Sequence, residues 1–142
     1  MAAPMTRGSN VALTREIPSL QGVVLGVRLV SPEQVLMDNL IVATILCGSS
    51  GKALSDEHFV FFNQLSSPEL SVTQLARAVG QDTEQVEIDL GAVPAEVSRI
   101  VVVTYINEGS AARRTLGQLR EVSVRVYEAR NLYWCARCQR RR

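Results

Sequence analysis

Long apolar runs separated by short polar turns dominate the pattern of hydrophobic and polar positions along the chain. Three runs consist almost entirely of Val, Ile, Leu and small residues, at 21–30, 39–47 and 99–106. Runs rich in β-branched residues and bounded by turn residues are typical of strands buried on both faces. We therefore predict a strand at each run. The first is either continuous or bulged at Gly26, and 99–106 is expected at the centre of a sheet.

Two further segments alternate between polar and apolar residues, at 85–90 and 122–126. A period of two predicts strands with one face in the core and one face in water. Residues 59–62 predict a shorter strand, and residues 11–13 predict the start or end of another. Residues 72–79 fit either a strand or a short helix, because their alanines allow both.

The helical signal is limited to short turns. Residues 94–97 begin with Pro, which favours the first position of a helical turn, and residues 115–119 predict a turn or a short helix. Roughly seven short strands with turns between them predict an all-β fold, a β-sandwich of two mainly antiparallel sheets with short helical turns. We predict one domain over residues 1–130, followed by a basic, Cys-containing tail at 131–142.

Composition narrows the class of protein. The chain of 142 residues is 46% hydrophobic and 20% charged, with a formal net charge of +1. This balance suits one globular domain and argues against nucleic acid as a partner. No apolar run approaches the roughly 18 residues of a transmembrane helix, and residues 1–10 lack the apolar region of a signal peptide. Three cysteines, an odd number, fit a reducing compartment, so we predict a cytoplasmic protein.

The residues that usually carry catalysis are scarce. The chain has one histidine, His58, which stands beside Asp56 and Glu57. Acid–base and nucleophilic schemes need a positioned base next to a nucleophile, and no such pair is recognisable from the spacing. We therefore predict that the protein is not an enzyme and that His58 is a loop residue.

Four ordered blocks give the chain a family resemblance. They are RGSNVAL at 7–13, SDEHFVFFNQLSSP at 55–68 followed by Ser71 and Val72, DTE at 82–84 followed by VEIDL at 86–90 and Val93-Pro94, and LGQL at 116–119 followed by Arg125-Val126. The second block is the most specific and is similar to a family pattern SD-x-x-F-V-F-Y-N-N…S-P-D-G-S-V. Over residues 5–128 the chain thus resembles the TerD-like family of tellurium-resistance and calcium-binding stress proteins, as a divergent and C-terminally shortened member.

The resemblance implies a β-sandwich with calcium sites at one end and a role in a bacterial stress or tellurite response, without enzymatic activity. It implies partners among other proteins of the same stress system, with contact at the inner face of a membrane as a further option. A homo-oligomer is a separate option for this chain. The family domain normally continues through further strands, so we expect an open sheet edge.

The calcium ligands that the resemblance implies are mostly replaced. The family's first ligand segment falls on Asn39-Leu40-Ile41, and its second falls on residues 75–78, which have no acid and include Arg77. Calcium takes six to eight oxygen ligands, so we predict a largely lost site with no cofactor. The alternative is one weak calcium site, whose ligands would be Asp38, Asn39, Asp82 and Glu84.

The C-terminal tail offers a different chemistry. Cys135 and Cys138 form a single CxxC, whereas a closed zinc site needs four ligands. The tail therefore predicts free thiols, and the alternative is a zinc-linked dimer with two cysteines from each chain. The arginines at 137 and 140–142 predict either a solvated end or an anionic-surface contact. We expect Tyr133 and Trp134 to cover a sheet edge.

These observations predict a non-enzymatic TerD-like binding or scaffold protein. Its ligand or partner would bind at the loops that hold calcium in the family.

Overall fold

The computed structural model describes residues 5–6, 8–76, 78, 80–107 and 115–128, and these form an all-β sandwich of two antiparallel sheets. The all-β fold and its two antiparallel sheets are therefore confirmed. The strands are β1 (Gly22–Val30), β2 (Leu40–Cys47), β3 (Phe59–Val60), β4 (Val72–Gln74), β5 (Glu84–Asp89), β6 (Arg99–Ile106) and β7 (Glu121–Glu128). The helices are α1 (Leu13–Glu16) and α2 (Gln34–Asp38), with 3₁₀ turns at Asp56–His58, Leu90–Ala92 and Leu116–Gln118.

The two sheets have unequal width. One sheet has four described strands in the order β4-β5-β1-β7, and the other has three in the order β3-β2-β6. In the first sheet Gly26 pairs with Gln85 on one side and Arg125 on the other. The register runs unbroken through Gly26, so β1 is the continuous strand of the two options.

The core lies between the sheets in two clusters. Successive side chains along a strand point to opposite faces and directly paired residues share a face, so each core cluster is built from one face of each sheet. The first cluster contains Val23, Leu46, Val60, Val72, Val86 and Ile88. The second cluster contains Val27, Leu29 and Val42, with Met37, Leu40, Val102 and Leu119 packed against it.

The prediction that the polar face of β5 lies in water is wrong. Gln85 and Glu87 are only 5% and 9% exposed. The physical reason is position, because β5 lies between β4 and β1 and neighbouring strands flank its side chains on both sides. Alternation of polar and apolar residues therefore marks the two faces of β5 without marking which face is wet.

Other local predictions differ in detail. Among the described strands β6 pairs only with β2, so the predicted central strand at 99–106 lies at an edge of its sheet. Residues 11–13 lead into α1, and 59–62 shorten to β3 followed by an isolated bridge at Phe61. The segment 72–79 begins as the strand β4. The boundary proposed at residue 130, and the tail beyond it, lie outside the described residues. None of the helices in the described part of the chain could span a membrane.

Candidate site around Asp82

Asp82 is the most deeply placed of the acidic residues that the sequence suggested as ligands. It lies just before β5, and its side chain is 1% exposed. The carboxylate lies over Gly26 in β1, where a Cβ atom would be only 2.3 Å from Oδ2 and 2.8 Å from Cγ. Gly26 therefore makes room for this carboxylate, since any side chain there would overlap it.

Two side chains hold the Asp82 carboxylate. Arg125, in β7, donates from an Nη2–H to Oδ1 at 2.7 Å, and Gln85 donates from Nε2 to Oδ2 at 2.7 Å. The hydrogen bond and the charge of Asp82 raise the pKa of the Arg125 guanidinium further above its ordinary value. A buried carboxylate needs such partners, because burial without them is costly.

A shallow depression of about 270 Å³ opens beside this pair. A second ion pair stands at its rim, where Arg28 Nε lies 3.5 Å from Glu121 Oε1 and Arg28 also donates to Gln81. Two arginines and two carboxylates line the depression together with Gln81 and Ser123, so their formal charges cancel. A neutral lining offers little attraction to a free cation or anion.

Glu84 points toward the core side of the first sheet, because it pairs with Val27 of the second core cluster. Its carboxyl accepts a hydrogen bond from Gln74 Nε2 at 3.3 Å. Burial raises the pKa of Glu84, and this hydrogen bond offsets only part of the effect. Burial that makes ionisation of a carboxyl more costly also makes that carboxyl a poorer ligand for a hard cation.

Asp38 and Asn39 close the end of α2. Asp38 Oδ1 accepts a hydrogen bond from Gln34 Nε2 at 2.7 Å, and Asn39 Nδ2 donates to the Val35 carbonyl at 2.7 Å. Both contacts join residues four apart, which is the ordinary spacing of side-chain contacts on a helix. These two side chains are accordingly occupied in finishing a short helix.

The described residues do not fit a calcium ion at this end of the sandwich. Asp38, Asp82 and Glu84 do not come together, since the described part of the chain contains no group of three or more His, Cys, Asp or Glu side chains placed to hold a metal. Asp82 is matched by the charge of Arg125. The weak calcium site stays a prediction, and these contacts argue against it.

His58 has a more definite environment than a free loop residue. Its Nδ1 forms a hydrogen bond with Ser55 Oγ at 2.7 Å, and its Nε2 contacts Glu69 Oε2 at 3.1 Å. Glu69 also accepts from the Ser71 hydroxyl at 2.6 Å. Burial alone would raise the pKa of Glu69, but the bond from Ser71 and further hydrogen bonds lower it overall. This chain of contacts ties the 3₁₀ turn to the loop before β4.

Two partners of Asp82 were missed by the sequence reasoning. Arg125 is separated from Asp82 by 43 positions and Gly26 by more than that, so no local spacing connects them. The signal that could have found Arg125 was its place in the family block Arg125-Val126. Arg77, Cys135, Cys138, Tyr133 and Trp134 lie outside the described residues.

Comparisons with known proteins place the chain in a family. A model of the family described as "TerD domain" matches residues 1–138. The tellurium resistance protein TerD of Serratia marcescens is 32% identical over 131 residues, covering 89% of this chain and 68% of that protein. A protein of the same name from Alcaligenes sp. is 30% identical with the same coverage. General stress protein 16U of Bacillus subtilis is 30% identical over 135 residues, again covering 89% and 68%.

The match spans almost the whole chain and agrees with the four sequence blocks and with the two-sheet fold. This protein belongs to the TerD domain family.

Proposed function

We propose that this TerD-type stress protein works by binding a partner protein, without catalysis and without calcium at the Asp82 end. Its relatives are named for tellurium resistance and general stress. We place its action in the cytoplasm, among other proteins of a bacterial stress or tellurite response.

One observation carries the calcium part of the proposal. Arg125 brings a positive charge to within 2.7 Å of the Asp82 carboxylate, and Gln85 occupies the other oxygen. A cation at that carboxylate would compete with both donors and would meet the repulsion of a guanidinium that stays protonated in proteins. The guanidinium therefore takes the role of counter-charge that a bound ion would otherwise have.

Isothermal titration with CaCl₂ tests this part. We expect no heat of binding in the micromolar range for the wild-type protein, and the same result for Asp82→Asn as the matched control. Micromolar binding by the wild-type protein that Asp82→Asn abolishes would contradict the proposal. Arg125→Gln removes the competing charge, and any weak calcium binding that appears in this variant supports the substitution of ion by arginine.

The absence of catalysis is supported by the surroundings of His58. Ser55, His58 and Glu69 are the residue types of a hydrolase triad, but the Ser55 hydroxyl accepts the backbone N–H of Glu57 at 3.2 Å as the cap of the 3₁₀ turn. A catalytic serine instead leaves its hydroxyl directed at a substrate, next to an oxyanion site. Hydrolysis of a p-nitrophenyl ester measures this directly, and activity that Ser55→Ala removes would contradict the non-enzymatic proposal.

The stress role can be tested in cells. We expect that a tellurite-sensitive host lacking its own TerD-type protein regains growth on tellurite when this chain is expressed with the other proteins of that host's system. Equal growth with an empty vector would count against this role. Elemental analysis of the purified protein tests the alternative of zinc at Cys135 and Cys138, and one zinc per two chains would support that alternative.

A further inference from the structure

β7 has three exposed valines on the face that packs into the core elsewhere in its sheet. Val122, Val124 and Val126 are 59%, 57% and 44% exposed. The register pairs them with Leu29, Val27 and Leu25 of β1, and directly paired residues of antiparallel strands share a face. The valines therefore lie on the face that forms the core elsewhere in the sheet.

The unequal width of the sheets explains the exposure. The first sheet has four described strands and the second has three, with β7 outermost in the wider sheet. Among the described strands, β7 pairs only with β1, along its whole length from Glu121 to Glu128. Its sequence contains no Pro or Lys, which are residues that commonly block an edge strand from pairing with another chain.

We propose that β7 pairs antiparallel with β7 of a second copy of this chain, about a two-fold axis at Val124. This register puts Val124 opposite the partner's Val124 and Val122 opposite the partner's Val126. Because the paired positions differ by even numbers, all the valines stay on one face of a continuous sheet. Each strand then buries its valine row against an identical row, as an isologous interface requires.

Charge supports the same register. Arg120, which precedes β7, falls opposite the partner's Glu128, and the symmetry repeats this pair at the other end of the interface. On the opposite face, Ser123 falls opposite the partner's Arg125. Opposite charges at facing positions stabilise a strand pair, whereas like charges there destabilise it.

Neighbouring registers fit less well. A two-fold axis at Arg125 would put two arginines directly opposite each other and Val122 opposite the partner's Glu128. An axis at Ser123 would put Val126 opposite the partner's Arg120. A slip that pairs odd with even positions would turn the valines of one copy to the opposite face. The axis at Val124 is thus the register that satisfies both the apolar and the charged positions.

Sedimentation velocity of the full chain tests the proposal. We expect a dimer for the wild-type protein and a monomer for Val124→Lys. The matched control is Val35→Lys, because Val35 on α2 is 54% exposed and lies outside β7; this variant should remain a dimer. Circular dichroism checks that each variant is folded.

A charge exchange tests the register itself. Arg120→Glu and Glu128→Arg should each raise the dimer dissociation constant about tenfold, since each occurs twice per interface. The double variant should recover most of the wild-type value. A wild-type protein that is monomeric at all concentrations would overturn the proposal, and that result would favour cover of β7 by residues 129–142. A dimer that dissociates in EDTA would overturn it in favour of zinc at Cys135 and Cys138.

Discussion

Replacing Gly26 with alanine should destabilise the protein strongly, although the substitution adds only one methyl group. The new Cβ would lie 2.3 Å from Asp82 Oδ2, well inside the contact distance of a carbon and an oxygen. The carboxylate would have to move, and its side chain, 1% exposed, has little free space. The displacement would break the hydrogen bonds from Arg125 and Gln85.

The cost follows from these two bonds. A buried group that loses its hydrogen-bond partners costs about 1–3 kcal/mol, and more when the group is charged, so we expect Gly26→Ala to cost about 3 kcal/mol through the buried Asp82 carboxylate. For a chain of this size, this corresponds to a fall in Tm of about 10 °C. Thermal and urea unfolding followed by circular dichroism measure both quantities. Gly91→Ala is the matched control, because its nearest contact, Asp89 Oδ1, would be at an ordinary 3.6 Å.

A double-mutant cycle separates this mechanism from general strain. In an Asp82→Ala background the carboxylate is absent, so Gly26→Ala should cost much less, and the coupling energy should be about 2 kcal/mol. If Gly26→Ala costs as much without the carboxylate as with it, or if it unfolds no more easily than Gly91→Ala, then the clash with Asp82 is not the source of the cost.

Two further substitutions should raise stability. Leu70 has a φ of 61° and is 68% exposed, and this left-handed backbone conformation disfavours a residue with a side chain. Leu70→Gly should therefore raise the free energy of unfolding by about 1 kcal/mol, whereas the control Leu65→Gly should not. Equal effects of the two substitutions in urea unfolding would show that Leu70 is not strained. Glu87 is 9% exposed, its Oε1 has no hydrogen-bond partner among the described residues, and burial raises its pKa. Because the folded pKa is raised, the penalty of the charged form is absent below the unfolded pKa and grows as pH rises toward the folded pKa. Glu87→Gln should therefore gain stability over the wild-type protein with rising pH, and a gain independent of pH would refute this origin.

The strands that could be predicted are those whose own residues identify them as strands, whichever strands lie next to them. β1, β2 and β6 are apolar enough along their whole length to identify them as strands in any context. The placement of β6 at an edge and the burial of Gln85 and Glu87 could not be predicted, because both depend on which strands lie next to them. Local periodicity contains no information about neighbours that are distant in the chain.

The candidate site, too, could be predicted only in part from the sequence. Asp82 was identified as a residue of interest from its family block, but its partner Arg125 comes from another strand, and the sequence pattern treated that arginine as part of a wet face. Gly26 was identified as unusual within a strand, yet the reason is the carboxylate above it. The left-handed Leu70 occupies the position of Gly in the family pattern quoted for this block, so the sequence did contain a signal of strain there.

If Arg125 takes the place of a cation at Asp82, as we propose, calcium should leave the thermal stability of the protein unchanged. A ligand at about a thousand times its dissociation constant stabilises a protein by about 4 kcal/mol, which for this chain is a rise in Tm of about 15 °C. Thermal unfolding is measured once in about 1 mM CaCl₂ and once in EGTA. For a site with a micromolar dissociation constant, about 1 mM CaCl₂ gives this thousandfold excess. We predict the same Tm in both solutions, whereas a rise of about 15 °C in calcium would show that Asp82 still binds the ion despite Arg125.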